Sequence, residues 1–312
     1  MFRATLLYLS RNRTLQRQAT GLPLARRLSR RFVAGETLPE ALAAAEALNR
    51  RGILVTLDHL GENVTNPEEA RRATGEYIEI LRQIAQRPGL AGTRCTISVK
   101  LTQLGLDTSD EFCLENTRAA VSEAARLGNW VEIDMEGSLY TERTLNLYHR
   151  LRLEFTNLRV CVQAYLYRTQ GDLRPLIEVG ASVRLCKGAY DEPPNLAFPK
   201  KAEVDANYRR LLALLLSEEA RKAGAFAAIA THDERIINWA LGTIAEQRIE
   251  RQHFEFQMLY GIRRDWQEQL AAQGYTVRVY VPYGQEWYPY FMRRLAERPA
   301  NFLFLLRQIV SA

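Results

Sequence analysis

The sequence predicts an α/β fold, a (β/α)8 barrel of the TIM type with an N-terminal helical extension and a C-terminal helix. Three observations carry this. Short β-branched and aromatic runs recur eight times between residue 51 and the C-terminus. A helical pattern follows each run, the alternation that builds a parallel sheet. No run is followed by GxGxxG or GxxxxGK[ST], so the dinucleotide-binding and P-loop versions of such a sheet are disfavoured. The chain divides into an N-terminal helical arm, residues 1–50, and a barrel catalytic domain, residues 51–312.

The arm reads as helical. Pro39 opens a segment, continuing to Asn49, that is rich in alanine and leucine, strong helix formers. The strand runs fall at 53–57, 94–99, 130–133, 159–165, 181–186, 225–230, 252–256 and 275–281. The helical segments are 67–86, 110–127, 141–151, 171–178, 201–222, 233–247, 263–273 and 286–297, with a last helix over 301–310. The runs at 225–230 and 252–256 are the weakest, and losing one would leave an open, doubly wound sheet. Pro282 and Gly284 are expected to stop the last strand.

Charge is unevenly placed. The net charge is +6 over 312 residues, of which 47% are hydrophobic. Residues 1–35 hold eight arginines and no acid, which leaves 34 basic and 36 acidic groups elsewhere, a net of −2. Such an arm suits an anionic membrane surface or nucleic acid, and its composition is that of a transit peptide. The competing reading is a helical extension packed on the domain with its arginines in water. The nearly neutral body argues against nucleic acid as a partner. The apolar runs at 211–216 and 302–306 are far too short to span a bilayer. Cys95, Cys113, Cys161 and Cys186 form no CxxC pair and read as small core residues; the four histidines have no metal-ligand spacing, so no metal is expected.

A barrel enzyme builds its site from the C-terminal ends of its strands. Here those ends carry Asp58 and His59, Lys100, Asp134 and Glu136, Gln163 and Tyr165, Arg184 and Lys187, Thr231 and His232, Gln257, and Tyr280. Charges of both signs thus converge on one mouth, where burial shifts their protonation. Arg184 and Lys187 supply positive charge, and Gly188 lets a ligand approach the backbone closely. Reduced flavin develops negative charge that such cations favour. Lys187 also admits a rival chemistry, a Schiff-base lyase with Asp134 as acid–base partner.

The segment after the last strand is the most distinctive. Tyr290, Arg293, Arg294 and Glu297 share one helical face at i, i+3, i+4 and i+7. Two adjacent guanidiniums suit a small carboxylate, because each planar fork can hold both oxygens. Glu297 stands four residues from Arg293, placed to hold it. The rings of Tyr280, Tyr283, Trp287, Tyr288 and Tyr290 make this face a pocket wall.

Seven motifs occur together: Ser98-Val-Lys-Leu101, Ile133-Asp-Met-Glu136, Val162-Gln-Ala-Tyr-Leu-Tyr-Arg168, Arg184-Leu-Cys-Lys-Gly-Ala-Tyr190, Ala230-Thr-His232, Phe256-Gln-Met-Leu-Tyr-Gly261 and Tyr290-Phe-Met-Arg-Arg-Leu-Ala-Glu297. In kind and order they resemble the proline dehydrogenase family in its monofunctional bacterial form, over about residues 50–305. The resemblance implies a distorted barrel, FAD as cofactor, and oxidation of L-proline to 1-pyrroline-5-carboxylate by hydride transfer to the flavin, the first step of proline catabolism. It implies a quinone as electron acceptor, and a cytoplasmic enzyme in peripheral contact with the inner face of the cell membrane. Carried over by motif position, Asp134 and Arg184 are catalytic. Lys100, Arg293 and Arg294 bind the substrate, with Glu297 paired to Arg293 and Tyr280, Tyr290, Leu259 and Tyr190 around the ring. Met135, Gln163, Arg184, Lys187, Gly188, Ala189, Thr231 and His232 contact FAD. Cys186 is a small apolar variant within its motif.

Overall fold

The structure is a computed structural model that describes residues 23–297. Eight parallel strands close into a barrel in sequence order: β1 (Leu54–His59), β2 (Cys95–Val99), β3 (Val131–Ile133), β4 (Leu158–Gln163), β5 (Ser182–Cys186), β6 (Phe226–Ala230), β7 (Phe254–Leu259) and β8 (Val277–Tyr283). The seam joins β8 to β1 in register from Leu54–Arg278 to His59–Tyr283. Both weak runs are therefore strands, and the open-sheet alternative falls. Among the described residues, two helices precede the barrel, α1 (Pro23–Ser29) and α2 (Leu38–Asn49). Around it run α3 (Pro67–Ala85), α4 (Asp110–Arg126), α5 (Ser138–Arg152), α6 (Thr169–Glu178), α7 (Lys201–Leu215), α8 (Glu218–Lys222), α9 (Glu234–Glu246) and α10 (Arg264–Ala272). The last described helix is α11 (Trp287–Glu297). The expected helix over 301–310 and the arm over 1–22 lie outside the described residues.

Local chemistry sets the element ends. In α3 the Asn66 side chain accepts from Glu68 N, Pro67 fits the first turn, and Glu68 and Glu69 meet the positive end of the helix dipole. Its buried residues, Ala70, Ala73, Tyr77, Ile80, Leu81 and Ile84, recur every three or four positions and form one stripe on the barrel. The segment expected as one helix over 201–222 is two, because Ser217 caps a new start by accepting from Ala220 N. Residues 251–253 form a 3₁₀ turn, so the seventh strand starts at Phe254.

Alternation along the strands separates two environments. Val55, Leu57, Ile97, Val99, Val131, Ile133, Val183, Leu185, Phe254, Phe256, Val277 and Val279 belong to the apolar core around the barrel wall. The alternate positions point inward, and many are charged: Asp58, Glu132, Arg159, Arg184, Glu255 and Arg278, all buried. Barrels of this type usually fill their interior with branched apolar side chains. This one fills it with ion pairs.

The last strand does not stop at Pro282. Pairing with β7 ends at Leu259–Tyr280, while β8 continues beside β1 to Tyr283. The Pro282 carbonyl accepts from Ala34 N at 2.9 Å, and Gly284 N donates to Gly35 O at 3.0 Å. The segment after α1 is thus hydrogen-bonded along the end of β8. Around it Leu28, Phe32 and Val33 pack with Trp287, Tyr290, Phe291 and Leu295 of α11 in a second apolar cluster. Two arginines of the basic arm are tied internally, Arg26 to Glu36 at 3.3 Å and Arg30 to Glu40 at 2.7 Å. Among the described residues, no helix is long and apolar enough to cross a membrane.

Gly261, with φ +74°, lies under this segment; a Cβ there would come 1.6 Å from the Arg31 carbonyl oxygen. We expect Gly261→Ala to lower stability by about 2–3 kcal/mol, and Gly52→Ala, at the same φ with open space around it, to cost about 1 kcal/mol. Urea denaturation of the two variants measures the difference, and equal losses would rule out the clash.

Candidate active site

The site rises from the charged interior in layers. Lowest, Arg159 binds Glu255 at 2.5 Å and Glu132 at 3.2 Å, and Arg278 binds Glu255 at 3.0 Å. Above them Arg184 spends its guanidinium on four partners. Nε donates to Gln257 at 2.8 Å, one terminal nitrogen to Asp134 at 2.5 Å, and the other to Glu132 at 2.5 Å and Ser98 at 3.2 Å. Burial pushes the Glu132 carboxyl up, and Arg184, Arg159 and Arg278 more than reverse it, leaving it well below the usual carboxylate range.

The top layer is built on Asp134. Tyr280 donates to it at 2.7 Å, Ser98 at 2.7 Å and Lys100 at 3.2 Å. Lys100 also donates to Asp58 at 2.8 Å and to the Tyr280 oxygen at 3.3 Å. Burial disfavours the Lys100 ammonium, but Asp58 and Asp134 outweigh it and raise its pKa well above the ordinary value. Burial alone would raise Asp134; Lys100 and Arg184 bring it below its ordinary value. Asp58 goes the other way: burial and the like charge of Asp134 prevail over Lys100 and raise it. The Arg184 guanidinium lies 5.2 Å from the Tyr280 ring centroid.

Above this layer opens a cavity of about 1220 Å³ at the C-terminal ends of the strands, lined among others by Lys100, Glu136, Ala189, Tyr190, Glu62 and Arg293. Ordinary small-molecule pockets span roughly 300–1,000 Å³, so the cavity exceeds what one small substrate requires. Arg293 reaches the cavity from α11, held by both oxygens of Glu62 at 2.6 and 3.2 Å. Arg294 is buried beside it, 5.1 Å from the Tyr290 ring. Leu259 and Tyr280 pack against the cluster containing Tyr290. The expected partner of Arg293, Glu297, has its side chain outside the description, and Glu62 holds the guanidinium.

The residues expected at FAD lie at the ends of β3 to β6 and in the segments that follow, and of them Ala189 lines the cavity. Gln163 donates to the Glu136 carbonyl at 2.9 Å. Gly188 takes φ +119°, and a Cβ there would sit 2.2 Å from the Tyr165 ring, so only glycine fits. The His232 Nε2 accepts from Leu259 N at 2.8 Å, and Thr231 Oγ1 accepts from Asp233 N at 3.1 Å. Met135 is buried within the apolar core. Lys187 is engaged by Asp205 and by Asp233 at 2.7 Å. This argues against the lyase alternative: a Schiff-base amine needs its acid–base partner near, whereas Lys187 is held by Asp205 and Asp233 and Asp134 is engaged by Tyr280, Ser98, Lys100 and Arg184. Cys186 differs from the other three cysteines in being half-buried at the end of β5, where it packs against the core.

Several residues of these layers were not among the expected site residues, Ser98, Arg159, Glu255 and Arg278 among them. Asp58, Glu136 and Gln257 were visible as polar strand ends. Glu132 carried a signal too, an acid at the inward position of an otherwise apolar strand. Glu62 lies in the loop after β1, and nothing local marks it.

A closed barrel whose strand ends hold coupled acids and bases under one deep cavity defines an enzyme with its chemistry at that face. The proline dehydrogenase family model matches residues 41–307. Proline dehydrogenase 1 of Bacillus subtilis (strain 168) is 42% identical over 313 residues, covering 100% of both chains. Proline dehydrogenase of Deinococcus radiodurans is 41% identical over 289 residues, 91% of this chain and 90% of that one. Among solved structures, proline utilization A (PutA) from Bdellovibrio bacteriovorus, inactivated by N-propargylglycine, superposes with a TM-score of 0.80 at 26% identity, covering 88% of this chain and 33% of that one. The chain belongs to the proline dehydrogenase family, a family of oxidoreductases.

Glu136 gives this site a measurable pH signature. Its carboxyl accepts from Thr102 N at 3.1 Å and shares a 2.6 Å hydrogen bond with Thr102 Oγ1, but burial dominates and raises it to about 7. The folded state therefore binds more protons than the unfolded one between the ordinary value of 4.5 and about 7. Stability is full below that window and falls as pH rises through it. Glu136→Gln should remove a fall on the order of 3 kcal/mol, read as the wild-type-minus-variant difference in urea midpoints from acid to neutral pH. An unchanged difference would contradict the assignment.

Proposed function

We propose that the chain catalyses FAD-dependent oxidation of L-proline to 1-pyrroline-5-carboxylate and delivers the electrons to a membrane quinone while in peripheral contact with the cell membrane. The observation that carries the catalytic part is the cavity that sets Lys100 and Arg293 above the Asp134–Tyr280–Arg184 network. The quinone and membrane parts rest on the family resemblance.

The residues at the mouth suit FAD. Arg184 and Lys187 give fixed positive charge, Gly188 makes room for the Tyr165 ring, and Ala189 and Tyr190 face the cavity. Gln163, Met135, Thr231 and His232 complete the set that would hold it. Bound there, FAD supplies the hydride acceptor, and the neighbouring cations favour its reduced form. Among the chain's own residues, Arg293 and Arg294 grip the substrate carboxylate with Lys100 beside them. Glu62 already occupies both Arg293 terminal nitrogens, so the carboxylate must share or displace it. Tyr280, Tyr290, Leu259 and Tyr190 enclose the ring and exclude water. Fixing the carboxylate orients the ring carbon beside the nitrogen, which is an entropic contribution. The nitrogen must lose its proton before that carbon releases hydride. Glu136 lines the same cavity, and its raised affinity suits it to accept a proton near neutral pH. Asp134 holds Tyr280 and Lys100 in place throughout.

The purified protein should be yellow and should bleach anaerobically when proline is added. A colourless preparation that FAD cannot reconstitute would end this reading. Arg294→Met should raise the KM for proline roughly 30- to 100-fold through loss of a charge-assisted hydrogen-bonded pair, with flavin absorbance retained. An unchanged KM removes Arg294 from carboxylate binding.

A further inference from the structure

Cys161 and Cys186 project into the barrel from neighbouring strands, and their sulfurs lie 3.4 Å apart. They sit one strand step diagonally across the β4–β5 ladder, where Cys161 pairs in register with Arg184 and Gln163 with Cys186. Their environments differ in a useful way. Cys161 is 5% exposed, whereas Cys186 is half-buried at the end of β5. The other two thiols are remote from this arrangement and fully buried.

We propose that Cys161 and Cys186 form a peroxide-sensitive modification site, in which Cys186 is oxidised first and Cys161 then closes a reversible disulfide. Neither the oxidation of proline nor the FAD assignment is needed for it. In the first step the Cys186 sulfur attacks one oxygen of hydrogen peroxide. The O–O bond breaks, and the departing hydroxide is protonated to water, leaving a sulfenic acid. In the second step the Cys161 sulfur attacks the Cys186 sulfur. The S–S bond forms, the S–O bond breaks, and the hydroxyl leaves as water with the Cys161 proton. Two thiols are oxidised and one peroxide is reduced.

Polarity favours this order. Cys161 donates its thiol hydrogen to Cys186 and thereby lowers the Cys186 pKa. Burial and Asp134 oppose the shift, while Arg184 and Arg294 support it. The thiolate is the reactive form, and fixed cations beside it are the usual source of cysteine reactivity. The same hydrogen bond and burial raise Cys161 well above its ordinary value. Burial holds Cys95 and Cys113 up at about 12, which makes them internal controls.

The test treats the purified protein with hydrogen peroxide and maps its peptides without reduction. The expected result is a Cys161–Cys186 cross-linked peptide, loss of two of the four free thiols, and recovery of both with dithiothreitol. In Cys161→Ser the closing sulfur is gone, so a dimedone adduct should accumulate on Cys186. The proposal is overturned if wild-type Cys186 is trapped or over-oxidised while Cys161 stays a thiol. It is equally overturned if all four thiols survive a peroxide exposure that oxidises free cysteine.

Discussion

Everything at the mouth depends on charge balance inside the barrel. Asp58, Glu132, Asp134 and Glu255 face Lys100, Arg159, Arg184 and Arg278, all of them buried. Removing one partner of a buried ion pair costs about 3–5 kcal/mol because the other charge is stranded. The groups are therefore mutually constrained. Arg184 cannot turn without releasing Glu132, Asp134 and Gln257 together, and Glu132 anchors guanidiniums from β4 and β5. An apolar interior would pack more cheaply, but it would not hold a fixed cation and a hydrogen-bonded tyrosine under the cavity.

Rigidity below contrasts with exchangeability above. Arg184 and Asp134 each have several protein partners, so their positions are set before any ligand arrives. Arg293 is held from one side by Glu62, on a loop, and is exposed to the cavity from the other. The interior thus supplies a prearranged floor, while the wall formed by α11 supplies groups whose partners can be traded. A raised Glu136 carboxyl fits the same division, since it is buried against the cavity and has no paired guanidinium among the described residues.

Much of the fold was legible because strand and helix periods differ. Eight β-branched runs separated by helical stripes leave few arrangements, and all eight became strands. Boundaries failed where a local rule met tertiary context. Pro282 stays in its strand because Ala34 takes its carbonyl, and Ser217 splits a helix that composition alone would join. The site was legible at strand ends, where Lys100, Asp134, Arg184 and Tyr280 were identified and the structure brings them into one network. Glu62 was not, because a loop acid has no periodicity to betray its direction. The inward acids Glu132 and Glu255 escaped for a different reason: a charge amid apolar neighbours means little until the barrel closes and shows what faces it.

Ala34 N donates to Pro282 O and Gly284 N donates to Gly35 O; with Phe32 packed on Phe291 at 6.2 Å between centroids, these bonds link the beginning of the described chain to its end. On the ribosome, those early residues must wait for β8 and α11, about 250 residues later, before they find their neighbours. The eight strands precede α11 in the chain, and the wall bearing Arg293 packs on Leu28, Phe32 and Val33 only once α11 has followed them. A nascent chain halted before that point would own a floor and no grip.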